Sequence, residues 1–483
     1  MMILNLAIGF GMRSPTWIGL GTKFDTKLQL KTAVTLWHLE SSTKEYRVVE
    51  SNPNSRDHAN VSSAMVAFCI KHHILKDPEY TPNSIIDDVK QKYHVEISYK
   101  KAWYARRKAI ELVFGGWESS FEDLPSYMIE LQKRTRGTIV EWHHDERHST
   151  ETQKLFKYVF WAFGPCVEAF QLCKPVLTVD GTHLRGRLKG KLLCAVGFDA
   201  NKKFLPVAYA IVDNETSDSW NWFMKLIKLH VMKGDRDVCI ISDRHPGMLN
   251  AMESDIWEQP PRGIHRFCLV HVRKNVLQHH KGVRVKSLVW KMGITTHERK
   301  YFRRRRSLWY VSPEAVEYLR RIDAEQWTIA YDKGRRWGEA TTNIVEAYNN
   351  VLKGARDLPV RACIDLTFWR IIKWFQTRST EVAQCQTVLT PWAHDKFNDN
   401  DARGRKHVVR RVNIHEGRCE GCLVLTLRQL PEIEEIIFYA LHQDYWEIPP
   451  WTLECSVGQF VPHSRGRFRK ARIQNQMDEN EPD

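Results

Sequence analysis

Between Val61 and Phe114 apolar residues recur at helical spacing in three blocks, VSSAMVAFCIKHHIL, SIIDDVKQKY and SYKKAWYARRKAIELVF, the second opened by Pro82-Asn83. The short HVEI link predicts a helix-turn-helix-like pair whose last helix carries Lys100, Lys101, Arg106, Arg107 and Lys108. Five cations on one helix suit a DNA backbone, and they equally suit the solvated face of an ordinary helical hairpin. Residues 61–150 are therefore expected to form a helical, DNA-binding region. Residues 1–60 are patterned weakly and are expected to be an irregular or truncated segment.

The pattern changes in the middle of the chain. VLTVD, KLLCAVGFDA and FLPVAYAIVD are short β-rich runs at hairpin spacing, with Asn201-Lys202-Lys203 as a turn. DSWNWFMKLIKLHVM has helical period, VCIISD reads as a buried strand, PGMLNAMESDIW as a helix opened by proline, and HRFCLV as a strand. The order β-β-β-α-β-α-β predicts a mixed α/β sheet covered on both faces. From about 275 to 336 the chain reads as helical, basic and rich in Trp and Arg, which predicts an insertion. A helix follows in TTNIVEAYNNVLKGARDLP, with Thr342 or Asn343 to start it and Gly354 and Pro359 to end it, and then another in IDLTFWRIIKWFQTRSTEVAQC. Beyond Thr390 an irregular polar stretch is expected, then a small β-like segment at HVVRRVNI and a Cys-containing segment within 400–460. A basic, then acidic, disordered tail is expected over 461–483.

Composition sharpens this picture. The 483 residues exceed one hydrophobic core, and 43% hydrophobic content supports folded domains. Lys+Arg 72 against Asp+Glu 57 leaves +15, which favours a polyanionic partner, nucleic acid first. No apolar run approaches the length of a membrane span. The eleven cysteines are scattered, several inside apolar runs, as in a reducing compartment. Arg303, Arg304, Arg305 and Arg306, with the tail RGRFRKAR, are compatible with nuclear import and also with phosphate contacts.

Asp180 and Asp243 each close a predicted strand, and Glu346 lies in the first turn of a predicted helix. Carboxylates converging from strand ends suit a pair of hard divalent cations, because Mg²⁺ takes oxygen ligands. Taken singly, each acid also has a structural reading: a turn residue before Gly181, a helix cap ahead of Pro246, and the partner in a capping box.

The ordered phrases TVDGTHLRGRLKGKLLCAVGFDA, FLPVAYAIVDNETSDSWNWFM, CIISDRHPGMLNAM, HRFCLVHVRKNV and WGEATTNIVEAYNNVLKGARDLPV resemble the transposase core of Mutator-like elements, the MULE transposases of plants. ISYKKAWYARRKAIELVFG resembles the segment preceding that core. The resemblance spans roughly Val61 to Cys385 and implies an RNase H-like core over 171–385, with a helical insertion before a catalytic Glu. It implies a DDE triad of Asp180, Asp243 and Glu346, two Mg²⁺ or Mn²⁺ ions, and metal-dependent cleavage and strand transfer on DNA. The implied partners are terminal inverted repeats, target DNA and other copies of the chain, in the nucleus. The family's Cys-x-x-His motif is matched by Cys268 and His271, too few for a zinc site and placed to orient a phosphate or carboxylate, or simply to pack. A SWIM-type finger would begin at Cys419 and Cys422, but Glu432 and Glu434 stand where its second half is expected, so less than one equivalent of Zn²⁺ is expected. The alternative is a domesticated DNA-binding regulator without catalysis, while the damaged finger favours a decayed copy that does neither.

Overall fold

A computed structural model describes residues 61–404 apart from His94 and Leu188, with short strands at Met2–Ile3, Lys23–Phe24 and Thr452–Glu454. The expectations for the rest of 1–60, for HVVRRVNI, for Cys419 and Cys422 and for the tail lie outside the described residues.

Three helices open the described chain: α1 (Ser63–Lys76), α2 (Pro82–Tyr93) and α3 (Tyr99–Phe114). Ser62 caps α1 by accepting from Met65 N, and Ser98 caps α3 by accepting from Lys101 N. Their apolar stripes, including Ile70, Ile85, Val89, Ala105 and Ile110, close over one another and over Leu358 and Ala362. The helical unit is thereby fixed to the polypeptide that follows the predicted catalytic helix. α4 (Leu124–Arg134) leads into the sheet.

Seven strands form that sheet: β1 (Ile139–His144), β2 (Gln153–Ala162), β3 (Val176–His183), β4 (Lys191–Phe198), β5 (Phe204–Val212), β6 (Val238–Ser242) and β7 (Gly263–Phe267). Their order is β1-β2-β5-β4-β3-β6-β7, antiparallel from β1 to β3 and parallel from β3 through β7. The predicted β-β-β-α-β-α-β run is β3 to β7, with α6 (Ser217–Leu226) and α7 (Pro246–Met252) as its helices. β1 and β2 are additional: residues 139–144 fall within the region expected to be helical, yet IVEWHH pairs as an edge strand with half-buried residues throughout. Thr452–Glu454 also pairs with the start of β2.

The middle strands read as unbroken apolar runs because both faces are covered. On β4, Leu193 and Ala195 face a core completed by α5 (Gly164–Leu172), α6 and α7, while Leu192, Cys194 and Val196 face α4 and the later helices. After β7 come α8 (Leu269–His279), α9 (Val283–Ile294), α10 (Glu298–Val311) and α11 (Pro313–Arg320), packed around Val289, Tyr301, Leu308, Leu319 and Trp327. Then α12 (Asn343–Val351) and α13 (Val360–Ala383) return to the sheet. Among the described residues no strand lies between Phe267 and Asn343.

The expected irregular stretch beyond Thr390 is instead α14 (Pro391–Gly404). Its polar sequence has little helical propensity, but Pro391 opens it and Thr390 Oγ1 accepts from Ala393 N at 3.3 Å. Trp392 N donates to Asn201 Oδ1 at 3.0 Å, tying it to the β4–β5 turn. No described helix is long and apolar enough to cross a membrane.

Candidate active site

Strands β3 and β6 pair in parallel with Val176 opposite Cys239 and Thr178 opposite Ile241. That is a constant offset of 63 residues, and 63 also separates Asp180 from Asp243. Backbone register therefore assigns the two aspartates to neighbouring positions on one face of the sheet. Asp180 does not close its strand as expected. Gly181, Thr182 and His183 continue the pairing with β4, so Asp180 sits within β3, while Asp243 follows the last residue of β6. Nor is Asp243 the helix cap. His245 caps α7 by accepting from Gly247 N, and Asp243 Oδ1 accepts from His245 N at 3.1 Å.

Glu346 comes from α12, which packs across β3, β4 and β5 through Val345, Tyr348 and Leu352. The Tyr348 and Tyr209 hydroxyls, 2.5 Å apart, fix this helix to β5. Thr342 Oγ1 lies 3.1 Å from Glu346 Oε1, and His271 Nε2 lies 4.0 Å from the same oxygen. One helical turn beyond Glu346, Asn349 donates Nδ2–H to Asp180 Oδ2 at 2.9 Å. Asn349 was not foreseen, although its i+3 spacing from Glu346 places it on the same side of α12. Buried Arg356 was not foreseen either. Its guanidinium donates to Thr182 Oγ1, to His183 O and to Asn349 O, binding the end of β3 to α12.

The electrostatics are those of crowded acids. Burial and the Glu346 charge, with smaller contributions from Asp243 and Glu215, lift Asp180 to about 7 against the opposing pull of His271. Glu215 comes so near that a Cβ at Gly181 would meet its carboxylate carbon at 2.7 Å and have to push that side chain aside. Lys191 Nζ pairs with Glu215 at 2.7 Å and reaches His183 Nε2 at 3.0 Å.

Cys268 and His271 occupy the seam between β7 and α8. Thr342 N and Oγ1 stand 3.3 and 3.2 Å from the buried Cys268 sulfur, so the thiol holds the start of α12. Burial works against a thiolate, but His271 and Thr342 outweigh it and bring Cys268 below its ordinary range. Burial likewise opposes a charged His271, yet Cys268, Glu346 and Asp243 carry it up to about 9.

The donor chemistry of Asp180, Asp243 and Glu346, all carboxylate oxygens in mutual repulsion, fits a hard divalent cation. As placed, no three His, Cys, Asp or Glu side chains among the described residues are set at metal-holding distances.

The expected DNA contacts divide. On α3, Lys100 and Lys108 are exposed, Lys101 is half-buried, and Arg107 lies over the Trp103 ring at 4.8 Å. Arg106 is spent inside the protein: it donates to Tyr80 O at 2.8 Å and Pro78 O at 2.6 Å, and it pairs with Asp357 at 2.8 Å. On α10, Arg303 and Arg306 are exposed and Arg305 is half-buried, while Arg304 donates to Lys291 O.

A comparison with known families matches residues 176–275 to the MULE transposase domain. No curated protein matches the chain. The matched segment starts at the first residue of β3 and ends within α8, so it contains Asp180, Asp243, Cys268 and His271 and stops short of Glu346. From Asp180 to the Cys-x-x-His pair, the chain is similar to the MULE transposase domain.

Proposed function

We propose that this protein is a DDE-type DNA transposase that cleaves and transfers strands of a Mutator-like element. The observation that carries the reading is the shared offset that sets Asp243 beside Asp180 on parallel strands, beneath the helix that brings Glu346. The order β5-β4-β3-β6-β7, three antiparallel strands followed by two parallel to the first, supports an RNase H-like core. Asp180, Asp243 and Glu346 would hold two Mg²⁺ or Mn²⁺ ions, which supply charge neutralisation at the entering and leaving oxygens of the phosphate. Asn349 orients the Asp180 carboxylate and Thr342 that of Glu346. His271, charged at neutral pH, stands beside Glu346 where it offsets negative charge brought by a phosphodiester. The exposed cations of α3 and α10 would contact DNA phosphates, in the nucleus and with further copies of the chain assembled on the element ends.

A plasmid carrying the element's terminal repeats tests this. Nicking that requires Mg²⁺ or Mn²⁺ and stops with chelator is the expected result. Binding without nicking under any divalent ion would favour the second reading, a DNA-binding regulator, for which the observation is that the carboxylates are not set at metal-holding distances.

A further inference from the structure

Helix α10 shows an aromatic and cationic surface that the carboxylate site does not use. Tyr301 and Leu308, seven residues apart, are buried in the core of the helical segment. Phe302 and Trp309, each one position further on, remain 53% and 50% exposed. One residue is about 100° of helix, so Phe302, Arg306 and Trp309 form a second stripe beside the buried one. With Arg305 of α10 and Val316 and Arg320 of α11, they line a cleft of about 250 Å³.

Three of the six lining residues are arginines, two are aromatic and none is acidic. Like charges gathered at one cleft repel, and two large rings left in water two turns apart on one helix face are unfavourable. A ligand that relieves both carries a flat π face and a negative charge within a few ångströms of each other. Nucleotides have that combination, but in a duplex the base faces are already stacked on their neighbours. Only an unpaired nucleotide presents its face to a protein ring. Arg320 also pairs with Glu317 on its own helix at 3.2 Å, an exposed contact weak enough to yield to a phosphate.

We propose that this cleft binds an unpaired nucleotide of single-stranded DNA. Trp309 and Phe302 take the base, while Arg305, Arg306 and Arg320 take the flanking phosphates. The inference rests on the DNA-processing reading above and adds the kind of DNA and the place that receives it.

Fluorescence anisotropy on the full chain tests it with three probes of equal length: oligo-dT, an abasic oligonucleotide with the same phosphates, and a duplex. Trp309→Ala and Phe302→Ala are each expected to weaken oligo-dT binding by roughly 5- to 150-fold, the range for removing one base stack. Both should leave the abasic and duplex probes within about twofold, and Trp309→Phe should retain most of the affinity because a ring remains. Arg305→Gln with Arg306→Gln should weaken oligo-dT and the abasic strand alike. Unchanged oligo-dT binding by Trp309→Ala would overturn the proposal, as would an equal loss on the duplex. Loss of self-association with DNA binding untouched would assign the cleft to a second copy of the chain and also overturn it. Should duplex binding persist while only the single-strand claim fails, the transposase reading stands without this cleft; wild-type protein that binds none of the probes removes both.

Discussion

The sheet and the helical segment between β7 and α12 handle charge in opposite ways. At the sheet, acids of one sign are pressed together on adjacent strands and under a helix, at a cost visible in the raised Asp180. On α10, six cations from Arg299 to Arg306 spread along a helix whose outer surface faces water. Backbone register and buried hydrogen bonds hold the acids, whereas side-chain reach positions the cations. Chemistry on a phosphate needs fixed oxygens even where fixing them is unfavourable; gathering a long polyanion needs only favourable, adaptable contacts.

The largest test of this contrast removes the acids. Asp180→Ala, Asp243→Ala and Glu346→Ala should each lower strand cleavage at least about a thousandfold, roughly 4 kcal/mol of transition-state stabilisation, while DNA affinity stays within about twofold. A variant of any of the three that cleaves at a near-normal rate takes that residue out of the site.

Next in size is the joint between the two regions. Buried Asp332 accepts from Arg266 Nε at 2.9 Å and from Arg336 N at 2.6 Å, and Arg336, fully buried, donates to Phe267 O at 3.1 Å. Asp332→Ala leaves the buried Arg336 guanidinium without a carboxylate partner and Arg266 with Glu325 alone, so denaturant unfolding should show a loss of about 3–5 kcal/mol. A loss under about 1 kcal/mol would mean that the joint is supported elsewhere.

The helical segment itself is tested by salt. Replacing Arg303, Arg304, Arg305 and Arg306 with Gln should flatten the dependence of log affinity on log salt by roughly 0.9 for each DNA phosphate that the arginines neutralise. Arg106→Gln, by contrast, should leave that slope alone and reduce stability, since its guanidinium is held by Tyr80, Pro78 and Asp357. A slope that follows Arg106 rather than the α10 arginines would reverse the assignment.

The smallest effect concerns His265 on β7, which meets Ser242 Oγ at 2.9 Å and whose burial, beside Arg266 and Arg336, takes it down to about 3. The unfolded histidine titrates near 6.5, so between that value and 3 the unfolded state binds the extra proton. Stability is therefore complete above about 6.5 and declines as the pH falls. From pH 7 to 5.5 this one group should account for about 1 kcal/mol, and His265→Gln should remove that part of the slope in thermal unfolding.

The strands β3 to β7 were legible because their apolar runs and turn residues agree with the final pairing. Asn201-Lys202-Lys203 does turn the chain, with Lys202 at φ 60 and Asp199 Oδ1 accepting from the N–H groups of Asn201 and Lys203. β1 escaped notice because every residue of IVEWHH is half-buried, which leaves no alternation to read. α14 escaped because its start depends on Thr390 and on a contact with Asn201, nearly two hundred residues away in the chain. Asp180, Asp243 and Glu346 were named from spacing and resemblance, and the strand register sets the first two at neighbouring positions. Which cations face outward could not be read, because Arg106 and Lys108 are both basic residues on α3 and are told apart by their distant partners, part-buried Asp357 for Arg106 and an exposed contact with Ser63 for Lys108.

The hydrogen bond from Leu269 N to Ala340 O, 2.9 Å long, joins the place where the chain leaves the sheet for α8 to the place where it returns. A detour whose two ends meet is independent of its own length. Once the ends are joined, doubling such a loop adds only about 0.6 kcal/mol of closure entropy. Everything between the two junctions can therefore grow, shrink or be exchanged over evolutionary time while the carboxylates keep their positions, so the carboxylate framework and the cationic helices are free to diversify at different rates.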